Sequence, residues 1–316
     1  MTHHANTPAT ELPASRKFPL AIVNVTNRCN LHCEHCFVYR DGNPNEAAND
    51  PTDEDLLAQI RSLRDKHGIQ AMLWMGGEPM IRKDLLREGL RLFTRNTITT
   101  NGTIPLEDFS ASAKDLTYVV SLDGPEAVND AIRGKGVFQR VLANVAKLPK
   151  DFPHTVQCQC VVTRKNQALL PQFVETLQGS NFDHLTFSFH VPARGDSTGN
   201  AWASVEERDE AVRLVMELKA HSKGFVRNRR RSLEMMLSEN DPRKITSDCP
   251  AQQFILPLYL EGTALVTPFC CYGNDVDCGR CGAWVVFELA AHLRPSGAGS
   301  GRTPQPGGGS PERIIP

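Results

Sequence analysis

Three cysteines in one short stretch constrain this chain more than any other feature. Cys29, Cys33 and Cys36 have C-x₃-C-x₂-C spacing and directly follow the largely apolar run 20–25. Thiolates are the soft ligands that iron–sulfur clusters select. A four-iron cluster held by three thiolates keeps one iron free to bind a substrate or cosubstrate. The alternatives are buried free thiols and a zinc site, in which His32 or His35 would supply a fourth ligand.

The composition limits the classes of function that are open to this chain. Its 316 residues, 40% of them hydrophobic, predict one large globular domain or a domain with a small extension. A net charge of −1 gives no sign of a nucleic-acid-binding surface, and we interpret the basic cluster 227–231 as a solvated helix end. We find neither a membrane span nor a signal-peptide pattern, so we expect a cytoplasmic protein. In that compartment ten cysteines favour metal ligation over disulfides.

Strand-like and helix-like segments alternate six times along the chain. The predicted strands are 20–25, 69–75, 97–100, 116–122, 155–163 and 184–190, and the helices between them include a weak one near 106–114. Such alternation predicts parallel strands with right-handed crossovers. Six units are too few for a closed eight-stranded barrel, so the predicted fold class is α/β, a partial (β/α)6 TIM-like barrel. Chemistry is expected at the carboxyl ends of its strands.

The predicted domain boundaries follow changes in composition. Residues 1–17 are polar and are predicted to be a disordered tail, and 18–225 form the barrel. Residues 226–293 form a cysteine-rich C-terminal extension with a strand-like run at 254–260. The Gly/Pro/Ser-rich segment 294–316 is predicted to be a second disordered tail.

The paired motifs resemble the radical S-adenosylmethionine (SAM) superfamily. The cysteine loop follows a first strand and Gly76-Gly77-Glu78-Pro79 follows a second, within a chain that resembles the family over about 18–221. The resemblance implies that Cys29, Cys33 and Cys36 hold a 4Fe–4S cluster whose open iron binds SAM. It further implies that reduction by a flavodoxin- or ferredoxin-type partner cleaves SAM to methionine and a 5′-deoxyadenosyl radical, which acts on a small-molecule substrate.

The same resemblance implies roles for residues at the strand ends. The backbone around Gly76, Gly77 and Glu78 would meet the methionine part of SAM, because glycine permits a close approach. His35, at a usually aromatic position, would pack by the adenine. Asn101, Ser121, Asp123 and Arg164 are the remaining candidates for binding the cofactor, and Arg133 and His190 are the candidate catalytic residues. The alternative is that these residues only cap turns at the strand ends.

A second group of cysteines lies near the C-terminus at positions 249, 270, 271, 278 and 281. One interpretation is a second metal site, an Fe–S cluster or a zinc, with Cys249, Cys278, Cys281 and one of Cys270 and Cys271 as ligands, Cys271 being the leading choice. The other is a substrate lid without metal. Cys158 and Cys160 are expected in the core, one facing the barrel interior and the other facing the helices.

The C-terminal cysteines also resemble those of radical SAM enzymes of hopanoid and nucleoside-antibiotic biosynthesis. Arg133, Arg164, Ser188, His190 and Arg194 at the expected barrel mouth favour a polar substrate. The resemblance therefore implies action on a sugar-nucleoside or sugar acid, with cytosylglucuronate-type decarboxylation, a lyase reaction, as the leading prediction. Tunicamycin-type carbon–carbon coupling and hopanoid-type adenosylation of an alkene are alternatives. A non-catalytic Fe–S or zinc-binding protein is the hypothesis from another class.

Overall fold

A mixed sheet with helices on its outer side organises the computed structural model, which describes residues 7–40 and 50–293. The strands in these ranges are β1 Thr7–Pro8, β2 Leu20–Asn24, β3 Ala71–Met75, β4 Arg95–Thr100, β5 Leu116–Ser121, β6 Thr155–Val162, β7 His184–Phe189, β8 Ile255–Glu261 and β9 Ala264–Thr267. The α-helices are α1 Asp53–His67, α2 Lys83–Gly89, α3 Glu126–Arg133, α4 Val137–Ala146, α5 Leu170–Gln178, α6 Val205–His221, α7 Arg230–Glu234, α8 Arg243–Ser247, α9 Pro250–Phe254 and α10 Trp284–Leu293.

The order of the strands confirms the predicted α/β class. Strands β2 to β7 are consecutive parallel neighbours, as the six-fold alternation predicts. The sheet then extends from β2 through parallel β8 and antiparallel β9 to β1. Its edges are β1 and β7, so the barrel stays open.

Local sequence signals explain the best-predicted helix, α1. The Thr52 hydroxyl accepts from the backbone N–H of Asp55, and three acidic residues occupy the first turn. Both features satisfy or complement the exposed N–H groups of a helix start. Gly68 ends the helix at φ 71°, the left-handed cap that glycine adopts without strain.

The structure differs from the predictions in three places. No helix forms at 106–114. Residues 7–17 are not a disordered tail: β1 pairs with β9, and Ala9 is fully buried. The run at 254–260 does form a strand, but β8 pairs with β2, so the C-terminal extension shares the barrel sheet. Residues 1–6 and 294–316, the rest of the two predicted tails, lie outside the described residues, as do 41–49.

The two faces of the sheet are distinguished by strand alternation and by one contact. A Cβ atom on Gly102 would lie 2.6 Å from Val120 and 3.2 Å from Val141 of α4, so Val120 faces the helices. Cys158 is the register partner of Val120, and Cys160 lies two residues further on. Because residues two apart on a strand share a face, both thiols face the helices, and the predicted split between them was wrong.

The opposite, inner face has two chemically different halves. On β4 to β7 it carries mainly hydroxyl and amide side chains: Thr97, Thr99, Thr117, Ser121, Gln157, Gln159, Thr186 and Ser188. On β2, β3 and β8 it is mainly apolar: Leu20, Ile22, Leu73, Met75, Ile255 and Pro257, with Asn24 as the polar exception. In the described ranges, no helix combines the length and apolar character needed to cross a membrane.

Candidate functional site

The predicted cysteine loop follows β2 at the carboxyl edge of the parallel strands. Cys29, Cys33 and Cys36 are partly exposed and carry reduced thiols. The Leu31 N–H and the Asn101 amide donate to Cys29 Sγ at 3.4 and 3.8 Å. The N–H groups of residues 38 and 39 lower the pKa of Cys36 by donating to it. Amide donors directed at sulfur stabilise the charge of a thiolate ligand and tune a bound cluster.

The three thiols also act on one another. Burial is the largest cause that raises the pKa of each thiol. The charge of a neighbouring thiol raises each pKa further: Cys33 acts on Cys29, Cys36 acts on Cys33, and Cys29 acts on Cys36. The loop therefore gathers three soft donors that have no disulfide partner, and this donor set fits a cluster with one iron left open. Within 7–40 and 50–293, no three His, Cys, Asp or Glu side chains are grouped as they would be around a single metal ion.

The two glycines after β3 lie against the backbone of the cysteine loop. The N–H of Gly77 donates to Thr26 O at 2.8 Å. A Cβ on Gly76 would lie 2.4 Å from that same oxygen, and a Cβ on Gly77 would lie 2.1 Å from Arg28 O. Glycine is thus required here by the packing of two loops of this chain, a reason that differs from the predicted approach of SAM.

Glu78 joins the loops that follow β3 and β4. Its buried carboxylate accepts from the Met80 N–H at 3.0 Å, the Thr100 hydroxyl at 2.7 Å and the Asn101 N–H at 2.7 Å. Burial raises the pKa of Glu78, and these donors oppose that rise. Asn101 in turn donates to Asn30 Oδ1 at 2.8 Å, so the predicted residue at this strand end contacts the cysteine loop.

Asp123 forms a buried link between the cysteine loop and α3. Its Oδ2 accepts from His35 Nε2 at 2.8 Å and from Arg133 Nε at 2.7 Å, while Oδ1 accepts from the Val161 N–H at 3.0 Å. The residue is 0% exposed, and these partners hold its pKa below the usual range despite burial. The predicted contact between Asp123 and SAM was therefore wrong, because the buried Asp123 carboxylate binds groups of the protein itself.

The other predicted residues occupy different places at the mouth. Ser121 is partly exposed on the inner face, opposite Gln159. His190, after β7, lies with Nε2 3.2 Å from Asp196 Oδ2. Burial lowers its pKa, and the charges of His35 and Arg40 lower it further. Arg164 is exposed, and its backbone N–H donates to Asn200 O at 3.0 Å.

Two residues that the sequence analysis missed also belong to this region. Arg40 donates to Val191 O at 3.0 Å and to Tyr272 O at 2.7 Å, and its ion pair with Asp275 is 2.8 Å long. These contacts tie the cysteine loop to the C-terminal extension across 232 residues of sequence, which no local pattern reveals. Asn24 is fully buried, and neither its side-chain nitrogen nor its side-chain oxygen has a hydrogen-bond partner among the described residues. The sequence feature that could have identified Asn24 is an amide side chain within an otherwise apolar strand.

The C-terminal cysteines surround a cavity of about 20 Å³. Its lining consists of the five thiols and mainly apolar neighbours: Cys249, Cys270, Cys271, Cys278, Cys281, Thr246, Ala251, Gln252, Tyr272, Val276, Ala283, Val285 and Val286. Every pair among Cys249, Cys270, Cys278 and Cys281 interacts, one charge raising the pKa of the other thiol. Cys271 interacts with Cys249, Cys270 and Cys281.

Comparisons with known proteins agree with this geometry. Residues 23–166 match the model of the Radical SAM superfamily. The chain is 33% identical over 223 residues to Fe-coproporphyrin III synthase of Methanosarcina barkeri, covering 66% of this chain and 54% of that protein. It is 31% identical over 234 residues to pre-heme d1 synthase of Dinoroseobacter shibae, covering 71% and 55%. The chain thus spans about half the length of these curated relatives.

A solved structure supports the fold alone. Streptococcus suis SuiB bound to SAM superposes with a TM-score of 0.61 at 16% identity, covering 79% of this chain and 60% of that one. The cysteine loop, the Gly-Gly-Glu loop and the parallel strands between them all fall inside the matched family segment. Residues 23–166 therefore form a radical SAM superfamily domain, and the cofactors of that family are a 4Fe–4S cluster and SAM.

Proposed function

We propose that this chain is a radical SAM enzyme in which Cys29, Cys33 and Cys36 hold the 4Fe–4S cluster. The observation that carries the proposal is the set of three reduced thiols on one loop, which receives N–H donors and packs against the Gly-Gly-Glu loop. The bound cofactors would supply a carbon-centred radical that takes hydrogen from an unactivated carbon. The chain's own residues would orient the substrate on the inner face of the barrel and exclude water there.

The divided inner face supports a substrate with one apolar flank and one hydrogen-bonding flank. The aliphatic side chains on β2 and β3 suit the apolar flank of such a substrate, and the hydroxyl and amide groups on β4 to β7 suit its hydrogen-bonding flank. A tetrapyrrole has an apolar ring and carboxylate substituents, and the synthases of Methanosarcina barkeri and Dinoroseobacter shibae described above are both named for tetrapyrrole products. We therefore propose a carboxylate-bearing tetrapyrrole as the leading substrate class.

The polar half alone supports the second candidate, a sugar-nucleoside or sugar acid. Cytosylglucuronate-type decarboxylation and tunicamycin-type coupling remain predictions of this kind. Either substrate class presents a carboxylate or hydroxyls to the exposed Arg164 and Arg194, which lie beyond the ends of β6 and β7. A guanidinium pairs with a carboxylate through two parallel hydrogen bonds.

His190 is the residue best placed at this mouth to move a proton. The Asp196 carboxylate faces Nε2 and favours the tautomer that carries its proton there, which leaves Nδ1 as the acceptor. Burial lowers the pKa of His190 from 6.5, so the ring is neutral at pH 7 and can take a proton from a substrate hydroxyl or carboxyl group.

The C-terminal cysteines support a further part of the proposal, a second metal group. We assign Cys249, Cys278, Cys281 and one of the adjacent Cys270 and Cys271 as its candidate ligands, because all five thiols line one cavity. An Fe–S cluster spreads four thiolates over several irons, whereas a zinc ion would need these thiols to close around one centre, and elemental analysis distinguishes the two.

Anaerobic reconstitution tests the activity. The full chain, loaded with iron and sulfide, is given dithionite and SAM, with or without a deuterium-labelled substrate candidate, either a carboxylate-bearing tetrapyrrole or cytosylglucuronate. We expect 5′-deoxyadenosine from the wild type and from Cys160→Ala, whose thiol faces the helices, and none from Cys33→Ala. Deuterium passing from one substrate into 5′-deoxyadenosine identifies the substrate class. Absence of 5′-deoxyadenosine from the loaded wild type would leave the non-catalytic metal protein as the explanation.

A further inference from the structure

One buried amide on the inner face has no hydrogen bond to residues 7–40 and 50–293. Asn24 is the last residue of β2 and is fully buried, and neither its Nδ2 nor its Oδ1 has a partner in those ranges. Burying an amide without hydrogen bonds costs free energy, and folded proteins rarely leave both of its polar atoms unmatched. The stability of the fold therefore does not explain this side chain.

Three other buried amides show how the chain uses asparagine elsewhere. Asn96 accepts from Trp74 Nε1 at 2.9 Å and donates to Leu90 O at 3.1 Å. Asn166 and Asn228 each accept from a backbone N–H and donate to backbone oxygens, at 2.8 to 2.9 Å. Both polar atoms of these amides are matched inside the protein, whereas neither atom of Asn24 is.

Asn24 lies in a row of inner-face side chains, directly before the cysteine loop. It pairs with Met75 of β3, and the register places Thr99 of β4 next to Met75 and Tyr259 of β8 on the other side of Asn24. These three neighbours are partly exposed, so the row borders open space on the inner side of the sheet. Methionine is flexible, and movement of the Met75 side chain would give a ligand access to the amide.

The chemistry of an asparagine side chain limits what could match it. The side chain presents a donor and an acceptor in one plane, on two atoms joined through the same carbon. It forms two hydrogen bonds with a planar group that offers an acceptor and a donor at neighbouring positions. A neutral carboxyl group and the edge of a cytosine base both have this arrangement, and burial favours the neutral form of a carboxyl group.

We propose that Asn24 binds the substrate and that its amide pairs with a planar donor–acceptor group of this kind. This inference rests on the proposed function and refines it. In a carboxylate-bearing tetrapyrrole the group would be one carboxyl on the flank that faces β2 and β3, and in cytosylglucuronate it would be the cytosine edge. Asn24 would determine specificity, because a substrate that lacks the group would leave the amide unpaired.

Urea denaturation of the full chain without cofactors is the first test, with Asn96→Leu as the matched control for Asn24→Leu. Leucine has the branched shape of asparagine without its polar atoms, so Asn24→Leu should raise the ratio of folded to unfolded chain about tenfold. Asn96→Leu should lower that ratio at least about tenfold, because Trp74 loses its acceptor. Equal losses from the two variants would mean that Asn24 is bonded within the fold, directly or through a buried water, and would overturn the inference.

Ligand binding to the reconstituted chain, with SAM and without reductant, is the second test. The probes are a free-base porphyrin tetracarboxylate, followed by its fluorescence, and cytosylglucuronate, followed by equilibrium dialysis. We expect the wild type to bind one of them, which identifies the source of the donor–acceptor group. Asn24→Leu should bind that probe at least about tenfold more weakly. Asn24→Ala, which adds no bulk, should show the same loss.

The remaining outcomes separate this inference from its alternatives. SAM affinity, measured by dialysis on the same samples, should equal that of the wild type, and its loss in Asn24→Leu would make Asn24 a contact of SAM instead of the substrate. Equal binding of the probe by the wild type and both Asn24 variants would overturn the inference and leave the proposed substrate class standing. A wild type that binds neither probe would refute both substrate classes, and the inference with them.

Discussion

The two cysteine groups of this chain differ in number, burial and surroundings. The N-terminal group has three partly exposed thiols on the loop after β2, at the carboxyl ends of the parallel strands. The C-terminal group has five thiols around a small, mainly apolar cavity, where burial raises the pKa of Cys270 to about 12. Three partly exposed ligands suit a metal group that must bind another molecule, whereas four enclosed ligands suit one that must not.

The largest expected effect concerns the metal content of the two groups. Cys29→Ala/Cys33→Ala/Cys36→Ala should remove all SAM cleavage, because the N-terminal group then holds no iron with an open position for SAM. Iron and zinc are counted by elemental analysis and 5′-deoxyadenosine by chromatography. Metal that persists in this triple variant belongs to the C-terminal group, and its identity as iron or zinc assigns that site.

Cys270→Ser and Cys271→Ser form a matched pair for the C-terminal group. The two residues are adjacent and both line the cavity, but a set of four ligands needs only one of them. Cys271→Ser, which removes the ligand of the sequence prediction, should lower the second metal content at least tenfold more than Cys270→Ser. Equal losses from the two variants would contradict a single ligand at these positions, and the reverse order would assign Cys270.

A smaller effect is expected from two glycines, one beside each group. A Cβ on Gly77 would lie 2.1 Å from Arg28 O, and a Cβ on Gly282 would lie 2.6 Å from Phe189 Cβ. Each Gly→Ala variant should lose about 3 kcal/mol of unfolding free energy through overpacking, measured by urea denaturation. Gly179→Ala is the control, since its nearest atom would be 3.9 Å away. Iron bound by the N-terminal group should fall only in Gly77→Ala.

The sequence predicted the N-terminal region far better than the C-terminal one. The alternation of strand-like and helix-like segments predicts the strands β2 to β7, and the spacing of Cys29, Cys33 and Cys36 predicts the position of the cysteine loop. The strand at 254–260 was recognisable, but its partner β2 lies more than 230 residues earlier, and no local pattern carries that pairing. Asp123 was assigned to SAM for a similar reason: its partners His35 and Arg133 come from two other segments.

The smallest effect concerns His190, which lies between the two groups. Its neighbour Phe189 donates through N–H to Gly282 O at 2.9 Å, next to Cys281, while His35 of the cysteine loop lies close enough to influence its pKa. Asp196 favours the charged ring, whereas burial, His35 and Arg40 oppose it, and the net result is a pKa below 6.5. The unfolded chain therefore binds this proton more readily than the folded protein.

Stability must consequently fall as the pH drops below 6.5 and level off below the folded-state pKa of His190. Between pH 7.5 and 5.5, His190→Gln should lose about 1 kcal/mol less unfolding free energy than the wild type, since one proton changes stability by at most about 1.4 kcal/mol per pH unit. Urea denaturation at both pH values gives the difference. His221→Gln, at an exposed histidine on α6, should behave as the wild type. If the unfolding free energy of His190→Gln and of the wild type changed equally with pH, burial would not lower the pKa of His190, and this prediction would be wrong.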